Sequence, residues 1–141
     1  MTQINFYNLQ HDTEQMRKLF ACRLTEKALS IGHRVCLFAG SEAIASEIDA
    51  LLWSFSSTSF IPHAIVAANG TSAEDVSIAV STLPRDATDV VINLSSDALE
   101  NVEGIARVNE IIIQEPEALE QARVRYRHYQ QAGVKPEMIK L

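Results

Sequence analysis

The sequence predicts an α/β fold, a single three-layer domain spanning residues 1–141 around a largely parallel central sheet. Three observations predict it. Strand-length apolar runs alternate with stretches whose apolar residues return every three or four positions. The run Arg34-Val35-Cys36-Leu37-Phe38-Ala39 is nearly continuous in its apolar character, as a strand covered on both faces must be. The chain has 141 residues, 47% of them hydrophobic and 21% charged, which suits one core and leaves no room for two ordinary domains.

Ile4-Asn5-Phe6-Tyr7-Asn8-Leu9 reads as the first strand, rich in β-favouring side chains. Asp12 or Thr13 can cap a following helix, on which Met16, Leu19, Phe20, Leu24, Ala28 and Ile31 form one apolar stripe. Gly32 follows, where a left-handed cap needs glycine. After the second strand, Ser41 and Glu42 open a second helix with Ile44, Ile48, Leu51 and Leu52 inward, ending near Trp53. Ser54 to Thr58 is a small-residue loop, Phe60 to Val66 is extended, and Asn69-Gly70-Thr71 is a turn signal. Val76–Val80 and Val90–Leu94 read as strands, followed by a short element from Asp97 to Arg107 and a strand over Val108–Ile113. Pro116 sits at the start of the last helix, where its missing N–H costs nothing, and Gly133 ends it.

Charge is unevenly spread. The chain carries 12 basic and 18 acidic side chains for a net of −6, which argues against a protein that coats duplex DNA. Residues 1–116 hold 7 Lys/Arg and 15 Asp/Glu, whereas residues 117–141 hold 5 and 3, so the last segment is a basic region on an acidic chain. The start of the chain shows no basic-then-apolar leader and no run long enough for a membrane span, which leads to the expectation of a soluble, cytoplasmic protein. Two cysteines, Cys22 and Cys36, lie in apolar runs and are too few for a stapled secreted scaffold.

Catalytic patterns are missing. A dinucleotide site needs clustered glycines, and the five here never share one motif. Ala39-Gly40-Ser41 follows a strand and opens a helix, which suits an ordinary turn better than a phosphate cradle. His11, His33, His63 and His128 are scattered and fit surface or satisfied polar roles rather than ligation. The serines between Ser54 and Ser59 lack a glycine-flanked nucleophile elbow. Neither cofactor nor metal is expected.

A binding surface is suggested instead. Leu119, Arg123, Tyr126, Arg127 and Gln130 share one face of the last helix. Two guanidiniums one turn apart with a phenol between them suit a carboxylate-bearing peptide, although a solvated basic face with Tyr126 packed inward has the same spacing. Arg125 points away from that face. Trp53 and Phe60 flank the loop after the second helix and can either plug the core or wall a pocket for an apolar side chain.

Asn5-Phe6-Tyr7, Leu51-Leu52-Trp53, Ser59-Phe60-Ile61-Pro62-His63 and Arg123-Val124-Arg125-Tyr126-Arg127-His128-Tyr129-Gln130-Gln131-Ala132-Gly133 together resemble the chi subunit family of bacterial DNA polymerase III holoenzyme, nearly end to end. The resemblance implies a Rossmann-like domain without a nucleotide site. It implies a non-catalytic adaptor that pairs with the psi subunit of the clamp loader and binds the acidic C-terminal tail of single-stranded-DNA-binding protein, touching nucleic acid only indirectly. By position, the tail-binding residues would be Trp53, Phe60, Ile112, Arg123, Tyr126 and Arg127. Leu119 and Gln130 stand where relatives can carry basic residues, which would weaken the electrostatic part of the site. The alternative is a small nucleotide-binding module or enzyme of similar fold with a cryptic site.

Overall fold

Ile4 and Phe6 of β1 (Gln3–Asn8) are fully buried on one side of the pleat, while Tyr7 points to the other and meets the Phe20 ring with centroids 5.6 Å apart. This alternation makes β1 an internal strand with a helical layer on each side. The computed structural model describes residues 2–56, 61–66, 74–83 and 89–141, and everything below concerns these residues.

The remaining elements follow in the order α1 (Glu14–Ser30), β2 (Val35–Phe38), α2 (Glu42–Ser54), β3 (His63–Val66), β4 (Val76–Ala79), β5 (Val90–Asn93), β6 (Arg107–Ile112), α3 (Pro116–Gln131) and β7 (Pro136–Lys140). The caps of α1 and α2 are among those the sequence predicts, with Thr13 and not Asp12 at α1. Thr13 Oγ1 accepts from the Met16 amide and Ser41 Oγ from the Ile44 amide, both at 3.2 Å. Glu115 caps α3 through the amides of Glu117 and Ala118, just ahead of Pro116. Gly32, at φ +88°, lets the His33 amide turn back to the Ala28 carbonyl and close α1.

The seven strands form one sheet in the order β3-β4-β2-β5-β6-β1-β7, every neighbouring pair parallel. Helices α1 and α2 cover one face, where Ala21, Cys22, Ile48 and Leu52 pack against Leu37, Ile78, Ile92 and Ile111. Helix α3 covers the other, where Ala122 and Tyr129 pack with Ile4, Phe6, Val108 and Ile112. This is the expected single α/β domain in three layers.

Three local expectations need correction. The C-terminal segment forms β7, an edge strand paired with β1, where no strand was expected. Residues 97–106 contain neither helix nor strand and cross the α3 face as an irregular segment. Ile31 is 64% exposed because it caps α1 instead of continuing its stripe; the buried face is Arg17, Ala21, Cys22 and Thr25. The Asn69-Gly70-Thr71 turn signal lies outside the described residues.

Candidate functional site

Beneath α3 lies a pocket whose floor is built from aromatic and aliphatic side chains that three strands bring together. Phe6 comes from β1, Ile112 from β6 and Met138 from β7, and the cavity they share with α3 has a volume of about 520 Å³. Tyr126 forms its wall. The Phe6 and Tyr126 rings lie 5.1 Å apart at 55°, and Tyr126 Oη donates to the Pro136 carbonyl at 3.1 Å, tying α3 to β7.

The rim is cationic. Arg123 and Arg127 occupy successive turns of α3 at the pocket mouth, with exposed side chains. Arg123 Nη1 donates to Glu120 Oε2 at 3.3 Å, an exposed pair that an incoming carboxylate can displace. The whole gives an apolar hole with guanidinium forks above it, a combination chemically suited to an apolar group beside carboxylates.

Of the sequence-predicted residues, Ile112, Arg123, Tyr126 and Arg127 converge here together with Leu119, while Gln130 lies beyond the pocket lining. Trp53 does not join them. It closes α2 on the opposite face of the sheet and is 50% exposed, so it plugs no core. Its ring packs 4.5 Å from that of His63 on β3, and three strands separate β3 from β6, roughly 19 Å across the sheet. One short peptide cannot place the same side chain against Trp53 and Ile112. The His63 side chain is buried, with Nδ1 facing the Ile61 carbonyl and Nε2 facing Asp49 Oδ1, each at 2.8 Å. Phe60 lies outside the described residues.

Sequence reasoning missed Phe6, Asn8 and Met138 as pocket residues. It set Arg125 off this face, where the structure also has it, but gave no sign that Arg125 is a buried anchor. Arg125 Nε donates to Glu110 Oε1 at 2.9 Å, and Glu110 Oε2 accepts from Tyr129 Oη at 2.7 Å and Asn93 Nδ2 at 2.8 Å. Burial pushes the Glu110 carboxyl above the ordinary carboxylate range, against the pull of Arg125 and these donors. The signal for this network was an acid inside the strand run Val108-Asn109-Glu110-Ile111-Ile112-Ile113, since a carboxylate buried there needs a cationic partner.

At the carboxyl ends of β2, β5 and β6, where open α/β sheets hold nucleotides, the crevice is already engaged. A Cβ on Gly40 would stand 2.6 Å from Ser95 Cβ, so this glycine admits a neighbouring loop and not a pyrophosphate. Arg17 Nε and Nη1 donate to the Ile111 and Leu94 carbonyls, and Arg125 Nη1 to that of Ser96. Burial lowers the Arg17 pKa from its ordinary value while Glu14 opposes the shift. Among the described residues no group of three or more His, Cys, Asp or Glu side chains could hold a metal, and no helix is long and apolar enough to cross a membrane.

Comparison with known proteins gives two matches that agree. The family described as DNA polymerase III chi subunit, HolC, matches residues 1–137. The DNA polymerase III subunit chi of Pseudomonas aeruginosa PAO1 is 35% identical over 133 residues, covering 94% of this chain and 92% of the relative.

Proposed function

The chain belongs to the DNA polymerase III chi subunit family, and from that premise we propose that it is an adaptor joining the psi subunit of the clamp loader to the acidic C-terminal tail of single-stranded-DNA-binding protein. Membership makes it an accessory subunit of the replicative polymerase complex, not its catalytic one. The observation that carries the proposal is the α3 pocket, where Arg123 and Arg127 stand over the apolar floor of Phe6, Ile112 and Met138. An acidic peptide ending in an aromatic residue fits both halves, its carboxylates at the guanidiniums and its ring on the floor.

A bridge must hold both ends at once. Trp53 on the far face of the sheet, with the exposed Ile65 of edge strand β3, offers a second apolar surface that tail binding leaves uncovered. In this reading Trp53 belongs to the psi-facing surface and not to the tail pocket.

Calorimetric titration with an acidic, Phe-terminated peptide tests the reading, with psi added before or after saturation. Binding of the peptide to the free chain and to the psi complex with similar affinity is expected. Displacement of psi by the peptide, or stabilisation of the chain by nucleotides and none by the peptide, would overturn it.

A further inference from the structure

A groove of about 340 Å³ runs between the C-terminal half of α1 and the sheet, on the face opposite the α3 pocket. Phe20, Leu24 and Ala28 of α1 and Tyr7 of β1 give it apolar walls, and Asn109 reaches it from β6. Two independent features mark it as built for an occupant.

The first is charge. Arg23, Lys27 and Arg107 line the groove, and none of them makes a salt bridge among the described residues. Among the described residues no Asp or Glu side chain lines it, although the chain as a whole carries a net charge of −6. Three unmatched cations along one groove of an acidic protein favour an anionic occupant.

The second is an unmet hydrogen bond. Asn109 is 4% exposed, and its Oδ1 is buried with no hydrogen-bond partner among the described residues. Its register neighbour on β1, Asn5, has its own Oδ1 satisfied by Gln3 Nε2 at 3.2 Å. A buried carbonyl oxygen left unpaired costs stability that an apolar side chain would not, so this position asks for an N–H from outside.

We propose that this groove docks an acidic, apolar peptide segment of a protein partner. As the segment seats, the Asn109 side chain, whose Oδ1 is closed off from solvent in the free protein, turns toward the groove and accepts a main-chain N–H of that segment. Its apolar side chains lie along Phe20, Leu24 and the exposed Ile31, and its carboxylates meet Arg23, Lys27 and Arg107. A peptide suits the lining better than a nucleobase does, because the Tyr7 and Phe20 rings already tilt against one another at 56° and leave no open slot for stacking. An internal segment satisfies every feature, so no free terminus is required, unlike at the α3 pocket.

The test is a ¹H–¹⁵N NMR titration of the full chain with an end-capped hexapeptide of alternating Asp and Leu, and separately with dAMP and oligothymidylate. Saturable shifts of the Asn109 side-chain amide and of the Lys27 and Arg107 backbone amides are expected with the peptide alone. Lys27→Glu and Arg107→Glu, both at the groove rim, should weaken that binding about tenfold or more, while Arg123→Ala leaves it unchanged. Asn109→Leu should raise the melting temperature and still lose peptide binding, a combination that a purely structural asparagine would not give. The proposal is overturned by an unshifted Asn109 amide, by shifts with nucleotide or oligothymidylate and none with the peptide, or by unchanged affinity in both charge-reversal variants.

Discussion

Arg125 on α3 and Glu110 on β6 form an ion pair at 2.9 Å whose side chains are 4% and 0% exposed. The pair sets the height and rotation of α3 over the sheet. Tyr129 adds a second tie, since its hydroxyl donates to Glu110 and accepts from the Leu99 amide at 3.1 Å. With Arg125 and Tyr129 turned inward, Arg123 and Arg127 are held outward at the pocket mouth. The helix thus carries two kinds of arginine, one buried in the fold and the other exposed at the pocket mouth.

Arg125→Ala should be severely destabilising, by roughly 3–5 kcal/mol, because it leaves the Glu110 carboxylate buried without its cation. The double variant Glu110→Leu/Arg125→Met should recover part of the loss, since no unpaired charge remains, while the Tyr129 hydroxyl left without its acceptor keeps the rest. Urea denaturation of the two variants and the wild type measures both values. An Arg125→Ala loss below about 1 kcal/mol, the range of exposed ion pairs, would show that the pair is solvated.

Arg123→Ala should weaken binding of an acidic, Phe-terminated peptide by about tenfold to a hundredfold, the loss of one charge-assisted contact of roughly 1.5–3 kcal/mol. Arg125 cannot serve as the control because its loss disturbs the fold. Val124, 53% exposed and outside the pocket lining, can. Equal peptide affinity for Val124→Ala and Arg123→Ala by calorimetry would remove α3 from the site.

Glu120→Gln should tighten the same interaction by about two- to fivefold, because the exposed Glu120 carboxylate occupies Arg123 at 3.3 Å in the free protein. The gain should shrink as salt rises, since both the internal pair and the incoming carboxylate are screened. Affinities at low and high ionic strength separate this from a change in pocket shape, which salt would not erase.

The sequence was most informative where one local rule decided the outcome. Thr13, Ser41 and Gly32 mark helix ends because capping depends on a few neighbouring atoms. Arg123, Tyr126 and Arg127 could be grouped because a single helix fixes their spacing. Residues whose partners are set by strand order were out of reach. Nothing local places Met138 beside Phe6, for β7 is a five-residue strand carrying proline and three charged or flexible side chains. Trp53 was grouped with Arg123 by position, through the family resemblance, and only the sheet order puts three strands between their surroundings. The burial of Arg125 could not be foreseen, because helical phase gives an angle and not the depth at which a neighbouring strand hides an acid.

Gly40 and Gly32 both have positive φ, at +83° and +88°, yet they should respond differently to alanine. Gly32 has open space where a Cβ would go, so Gly32→Ala should cost only the backbone strain of about 1–2 kcal/mol. At Gly40 the Cβ would also meet Ser95 Cβ at 2.6 Å, adding an overpacking cost of about 1–3 kcal/mol. Gly40→Ala/Ser95→Gly should recover that second part alone. Equal melting temperatures for the two single variants would mean that the Ser95 loop yields without cost.

Alkaline pH should destabilise the fold through two buried groups. The Cys22 thiol is fully buried, and burial pushes its pKa from an ordinary value of 9.0 to about 12. In the unfolded chain the same thiol ionises near its ordinary value. Between pH 9 and 12 the unfolded state therefore releases a proton that the folded state keeps, so the contribution present below pH 9 is lost as pH rises toward 12. The slope approaches about 1.4 kcal/mol per pH unit for one group, or about 2 kcal/mol between pH 9 and 10.5. Tyr129 acts in the same sense at higher pH, its hydroxyl raised by burial and by the Glu110 carboxylate it faces. Urea denaturation at pH 8, 9 and 10.5 should show this fall in the wild type and a shallower one in Cys22→Ala, even though that variant starts from a lower stability at pH 8. Thiol labelling at pH 8 gives an independent reading, with neither Cys22 nor Cys36 reacting until denaturant is added, because both are buried. Identical pH slopes for wild type and Cys22→Ala would show that the folded environment leaves the thiol as acidic as in the open chain.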